Sequence, residues 1–268
     1  MNTDYPDFLI VGAPKCGTSS LYFTLLNHDK IVGSKIKELQ YFTRYYHNHD
    51  INWYLSLFPK KTPHQLLCEA TVDYNTPLII NRIKNTFEGR NLKLIFVVRN
   101  PTYRFISQYI HFRAKNFVVT HDDVFEIVKQ SPTYYPQNCN VDFFKTQTKL
   151  FKELVEDTNN PYYKHGEYID TIKLIEELFG RNNLHLIVFE DLIKNPTEEL
   201  SKVFNFLNVE DYYIPFGKFN TAEDWKRHYD ASKEIDANSV NILREYYKPL
   251  NKRLYEYINR DLNWDSYE

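Results

Sequence analysis

Cysteine and glycine are scarce in this chain of 268 residues, which holds three Cys (Cys16, Cys68 and Cys139) and seven Gly. An odd, sparse cysteine count argues against a disulfide framework and fits a reducing compartment. No stretch approaches the roughly 18 consecutive apolar residues of a membrane span. The start of the chain, Met1-Asn2-Thr3-Asp4-Tyr5-Pro6-Asp7, lacks the basic and apolar regions of a secretory signal. The expectation is a soluble intracellular protein with no membrane partner. Excess charge of one sign is also missing: 33 basic residues stand against 35 acidic ones, for a net charge of −2. Bulk attraction to nucleic acid is thereby excluded, and any anion site has to be a local cluster. No metal-ligand set is legible, since His47 and His49 lie two apart without a matching Cys or Asp and read as surface residues.

What the chain has in abundance is aromatic side chains, with 22 Tyr and 19 Phe, and a hydrophobic share of 43%. That share is enough for one substantial core, and without repeats or linkers the chain reads as a single domain over 1–268. Apolar runs alternate with helical patterns. Strands are predicted over Asp7–Gly12, Leu66–Ala70, Lys93–Val98 and Leu184–Phe189. Helices are predicted over 18–27, from Asn100-Pro101 onward, and over 142–157, 167–179, 195–207 and most of 232–259. The stretches 33–42 and 215–231 carry no clear period. Buried strands alternating with helices imply an α/β fold: a central parallel β-sheet flanked by helices. Ligands of such sheets sit at the carboxyl ends of the strands, here after Val11, Val98 and Phe189.

Gly12-Ala13-Pro14-Lys15-Cys16-Gly17-Thr18-Ser19-Ser20-Leu21 joins the first strand to the first helix. Small residues let backbone approach an anion closely, and the unpaired N–H groups of a helix start carry the positive end of its dipole. Thr18, Ser19 and Ser20 add hydroxyls, and Lys15 adds a full charge. Gly12 and Gly17 have the spacing of a nucleotide-triphosphate P-loop, but Thr18 stands where that loop has lysine, which argues against ATP. A second anion signal follows the strand at 93–98. Arg99 offers a planar fork at the strand's end, and Ser107 offers a hydroxyl two turns into the next helix. The cationic run Lys226-Arg227-His228 could close over phosphates from a loop.

These segments resemble the PAPS-dependent sulfotransferases, nearest the branch acting on heparan sulfate and other glycosaminoglycans by 3-O- and N-sulfation. Pro14 to Leu21 looks like the family's 5′-phosphosulfate loop. Arg99 with Ser107 looks like its 3′-phosphate motif, and 226–228 looks loosely like its late basic loop. The resemblance implies a P-loop-NTPase-like sulfotransferase fold. It also implies binding of 3′-phosphoadenosine 5′-phosphosulfate (PAPS) by Lys15, Cys16, Gly17, Thr18, Ser19, Ser20, Arg99, Ser107, Lys226, Arg227 and His228. The implied reaction is in-line sulfuryl transfer to a hydroxyl or amine of a carbohydrate, releasing 3′,5′-ADP and requiring no metal.

Lys35-Ile36-Lys37-Glu38-Leu39-Gln40-Tyr41-Phe42 resembles the branch's base segment. It implies Glu38 as the general base, Lys37 as an adjacent orienting charge and Lys15 as the catalytic lysine. Cys68-Glu69-Ala70-Thr71-Val72-Asp73-Tyr74 resembles the branch's Glu-Lys-Thr-Pro-x-Tyr. It implies acceptor contacts by Glu69 and Thr71, with Ala70 standing where relatives have a lysine. The other readings of the same residues are a P-loop kinase acting on a small molecule, and a non-catalytic nucleotide-binding protein of the same fold.

Overall fold

A computed structural model describes residues 4–121, 149–219 and 230–266. Chain contacts cluster into two compact units. One comprises Met1–Arg99 with Glu167–Phe219, and the other comprises Asn100–Gly166 with Asn220–Glu268.

The first unit is built on strands β1 (Phe8–Gly12), β2 (Ile31–Gly33), β3 (Leu66–Ala70), β4 (Lys93–Val98) and β5 (Leu184–Val188). They form one sheet in the order β2-β3-β1-β4-β5, with every pairing parallel. All five residues of β1 are buried, as are the last five of β4. A strand with no exposed alternate residue is covered on both faces, which is why these runs are continuously apolar. The helices of this unit are α1 (Thr18–Leu25), α2 (Ile51–Ser56), α3 (Pro77–Thr86), α7 (Tyr168–Phe179), α8 (Phe189–Lys194) and α9 (Pro196–Leu207). Helix α1 packs on β1 and β3, α7 packs on β4, β5 and α3, and α9 packs on β5.

Four predicted strands are thus present, with β5 ending one residue early because Phe189 begins α8. The edge strand β2 escapes the pattern because it is three residues long. It is fixed by its partner, with Ile31 opposite Leu66 and Gly33 opposite Cys68.

The second unit is helical: α4 (Pro101–His121), α5 (Phe151–Glu156), α6 (Pro161–Lys164) and α10 (Ala237–Ile258). Phe105, Tyr109, Phe151, Tyr162, Tyr163, Leu243 and Tyr247 form its core. Helix α10 begins at Asp236, whose carboxylate accepts the Ser239 N–H at 2.8 Å, the expected way to satisfy an orphan donor of the first turn. The predicted helix over 142–157 is seen as α5 alone, with 142–148 and Cys139 outside the described residues. Cys16 and Cys68 are buried thiols outside any disulfide among the described residues. Among the described residues no helix is long and apolar enough to cross a membrane.

Candidate active site

The strand order decides which loops meet. Strand β1 is central, with β3 and β4 on either side of it, so the segments leaving these three strands emerge side by side at the carboxyl edge of the sheet. The loop after β1 turns through Lys15, with φ +64°, and Gly17, with φ +79°. Gly17 is required twice over. Its φ is left-handed, and an added Cβ would stand 2.7 Å from the Phe189 ring. The first helical hydrogen bond of α1 runs from Leu21 N–H to Gly17 O at 3.0 Å. The helix itself therefore supplies no acceptor for the N–H groups of Thr18, Ser19 and Ser20, the arrangement that suits an anion.

Arg99 leaves the end of β4 and reaches back to this loop. Its Nη1 donates to Lys15 O at 2.9 Å, and its Cζ lies 4.6 Å from the centre of the Phe189 ring. The structure therefore brings Lys15 and Arg99, predicted from separate motifs, to one place. Phe189, which lines both Gly17 and Arg99, is predicted from sequence only as the last residue of the strand over Leu184–Phe189. That place at a strand's carboxyl end is the available signal.

Cys16 and Ser20 take different parts from those expected. Cys16 is fully buried, its Sγ lying 3.7 Å from Pro14 O and 3.8 Å from the Tyr168 hydroxyl, so its side chain serves the inside of the loop. The Ser20 hydroxyl accepts the Phe219 N–H at 3.0 Å and stands 3.4 Å from Phe219 O, which engages it with the 214–219 segment. Thr18 is buried, while Lys15 and Ser19 are half-buried. Ser107 is half-buried on α4 in the second unit, and its pairing with a 3′ phosphate stands on the resemblance alone. Lys226, Arg227 and His228 lie outside the described residues.

Glu38 sits in the segment between β2 and α2, with 31% of its side chain exposed, so an acceptor can reach it. Its backbone is left-handed, with φ +65°, and its N–H donates to Ala70 O at 2.9 Å at the end of β3. One carboxylate oxygen pairs with Lys37 Nζ, and the other accepts the Val72 N–H at 3.0 Å. Burial raises the Glu38 carboxyl above its ordinary value, against the opposing pull of Lys37 and the Val72 N–H. A carboxylate shifted toward neutrality is better matched to proton abstraction than an ordinary one.

Glu69 and Thr71, expected to touch an acceptor, are both fully buried. The Glu69 carboxylate accepts the Tyr54 hydroxyl at 2.5 Å, the Thr71 hydroxyl at 2.7 Å and the Tyr74 hydroxyl at 2.8 Å. Both side chains face inward, behind the segment that carries Glu38. The physical reason is that β3 is covered on both faces, so a polar side chain on it must find its partners inside. Burial pushes the Glu69 carboxyl up to about 7, opposed by the three hydroxyls and assisted by Glu38. Among the described residues no group of three His, Cys, Asp or Glu could hold a metal ion.

Two outcomes follow from this geometry. Gly17→Ala meets both a left-handed φ and the Phe189 ring, so it should lower stability to urea unfolding by about 1–3 kcal/mol; unchanged stability would remove the close packing from the account. For Glu69 the folded protein holds its proton more tightly than the unfolded chain does. Its contribution to stability is therefore complete below about pH 4.5 and disappears as pH rises through about 7. At 1.36 kcal/mol per pH unit this is about 3 kcal/mol. Urea unfolding should show that loss between pH 4.5 and 7 in the natural chain and not in Glu69→Gln; parallel pH dependences would contradict it.

Residues 5–215 match the family model of the sulfotransferase domain. The chain is 26% identical to the membrane-associated sulfotransferase kil1 of Dictyostelium discoideum, the match covering 97% of this chain and 67% of that protein. It is 28% identical to human heparan sulfate glucosamine 3-O-sulfotransferase 3A1, over 97% of this chain and 63% of the relative. The chain thus spans about two thirds of the length of these relatives. Among solved structures, a sulfotransferase from Alicyclobacillus acidocaldarius shares the fold with a TM-score of 0.69 at 24% identity, covering 98% of this chain and 100% of that one. On this match over most of its length, the chain belongs to the sulfotransferase domain family.

Proposed function

We propose that this chain transfers the sulfuryl group of PAPS to a hydroxyl or amine of a carbohydrate, with Glu38 as general base. The observation that carries the reading is the hydrogen bond from Arg99 to the carbonyl of Lys15, which joins two predicted phosphate-binding segments in one site. The N–H groups at the start of α1 suit the 5′ phosphate, and Arg99 adds a fixed positive charge beside them. Glu38 is borne by the segment anchored to β3, the neighbour of β1. The assignment of Ser107 to the 3′ phosphate rests on the resemblance. A carbohydrate acceptor is supported by relatives named as heparan sulfate glucosamine 3-O-sulfotransferases and as a carbohydrate sulfotransferase.

In this scheme Glu38 accepts the proton of the acceptor hydroxyl, whose oxygen forms a bond to sulfur. The bond from sulfur to the 5′-phosphate oxygen breaks, and 3′,5′-ADP leaves. The loop around Lys15 meets the charge that develops on the departing phosphate, a stabilisation that acts in the transition state. Lys37 and the Val72 N–H each take one acceptor site of Glu38, and the remaining lone pairs of the carboxylate are left for the proton.

The test is transfer of labelled sulfate from PAPS to a panel of saccharide acceptors. The natural chain should label at least one, and Lys15→Ala and Glu38→Gln should each lower turnover by about 10²–10⁴-fold. Glu38→Gln should leave 3′,5′-ADP affinity unchanged. Full turnover in Glu38→Gln would remove it as the base, and labelling that appears only with ATP and Mg²⁺ as donor would favour a kinase.

A further inference from the structure

Two left-handed residues flank Leu39: Glu38 has φ +65° and Gln40 has φ +59°. Neither is glycine, so this backbone is held from outside and not by its own preference. The holding contacts form a zipper between residues 38–42 and 70–74. Glu38 N–H donates to Ala70 O at 2.9 Å, and Val72 N–H donates to the Glu38 carboxylate at 3.0 Å. Gln40 N–H donates to the Thr71 hydroxyl at 3.3 Å, and Gln40 Nε2 donates to Asp73 at 3.4 Å. Phe42 N–H donates to the Tyr74 hydroxyl at 3.4 Å.

Two rungs of this zipper are side-chain hydroxyls, and a hydroxyl has a single proton with a free choice of direction. Here that choice is made by Glu69. Its Oε1 accepts the protons of both Thr71, at 2.7 Å, and Tyr74, at 2.8 Å. With their protons turned inward, both hydroxyls present lone pairs to the N–H groups of Gln40 and Phe42. The other oxygen of Glu69 accepts the Tyr54 hydroxyl from α2, which fixes the carboxylate plane. Glu69 itself is fully buried.

We infer that Glu69 is a positioning residue for the catalytic base, acting through the Thr71 and Tyr74 hydroxyls to fix the strained segment that carries Glu38. The inference rests on the reading of Glu38 as base. It replaces the acceptor contact expected for Glu69 and Thr71 with a role that needs no access to the acceptor. It also accounts for a buried carboxylate surrounded by three hydroxyls and no cation among its hydrogen-bond partners, where an apolar residue would satisfy packing alone.

The test is sulfate transfer by the whole chain in Thr71→Val, Thr71→Ser and Glu69→Ala, each alone and combined with Glu38→Gln. Thr71→Val and Glu69→Ala should lower kcat at least tenfold. KM for PAPS and the thermal shift with 3′,5′-ADP should hold, because the phosphate loop belongs to a different strand. Thr71→Ser keeps the hydroxyl and should restore most of kcat. In the Glu38→Gln background the same substitutions should cause no further loss, since their effect passes through the base. Should Glu69→Ala fail to fold, the Val and Ser variants of Thr71 decide the matter. An equal fold-loss with Glu38 present or replaced, or a parallel loss of PAPS affinity, would make the cluster merely structural and overturn the inference. Natural kcat in Thr71→Val beside a crippled Glu38→Gln would sink this inference alone, whereas full turnover in Glu38→Gln would sink the base reading and this one with it.

Discussion

The contact on which the candidate site depends is the hydrogen bond from the Arg99 guanidinium to the backbone carbonyl of Lys15. A guanidinium is always charged and keeps its fork planar, so a single bond to the loop also sets where the remaining donors point. The bond closes the gap between the exits of β1 and β4, adjacent strands in the sheet. Phe189, arriving from the end of β5, lies under the guanidinium and against Gly17. Three strands thus contribute to one corner, the proposed anion site, and a side chain on Gly17 would press on its Phe189 wall.

On the other side of β1 lies the proposed base, Glu38, which faces a different problem. A base that has to accept a proton needs a raised affinity for it and a defined direction. Burial supplies the first for Glu38, and the end of β3 supplies the second through Ala70 O and Val72 N–H. Behind them a layer of aromatic hydroxyls surrounds Glu69. Much of the aromatic richness of this first unit is concentrated there, with Tyr41 stacked on Tyr54 at 4.6 Å and Phe42 edge-on to Tyr74 at 5.3 Å. Tyrosine suits this layer because it fills volume like phenylalanine and still offers a hydroxyl to a buried carboxylate.

How much of this the sequence shows depends on how local the signal is. The strands β1 and β4 are legible because a strand buried on both faces needs an unbroken apolar run, and β3 and β5 are legible although Glu69 and His185 interrupt theirs. The loop after β1 is legible because an anion cradle needs small residues at fixed spacing. Strand β2 is hidden because three residues have no period, and α2 and α3 went unread in stretches assigned to no element. Arg99 could be singled out, but not its bond to Lys15, since 84 positions separate them. Glu69 and Thr71 show the limit most clearly. A motif named them as important without saying which way they face, although Glu69 lies within a strand already read as buried, which is itself an argument for internal partners. Phe189 looks like a core residue in sequence, and only the strand exit beside it makes it part of the site.

The most direct measurement of the central claim is calorimetric titration of the natural chain and of Arg99→Ala with 3′,5′-ADP, 5′-AMP and ATP–Mg²⁺. A single corner shared by Lys15 and Arg99 predicts that 3′,5′-ADP binds at least tenfold more tightly than 5′-AMP or ATP–Mg²⁺, and that this preference is lost in Arg99→Ala. Preferential binding of ATP–Mg²⁺, or 3′,5′-ADP affinity indifferent to the loss of Arg99, would contradict it.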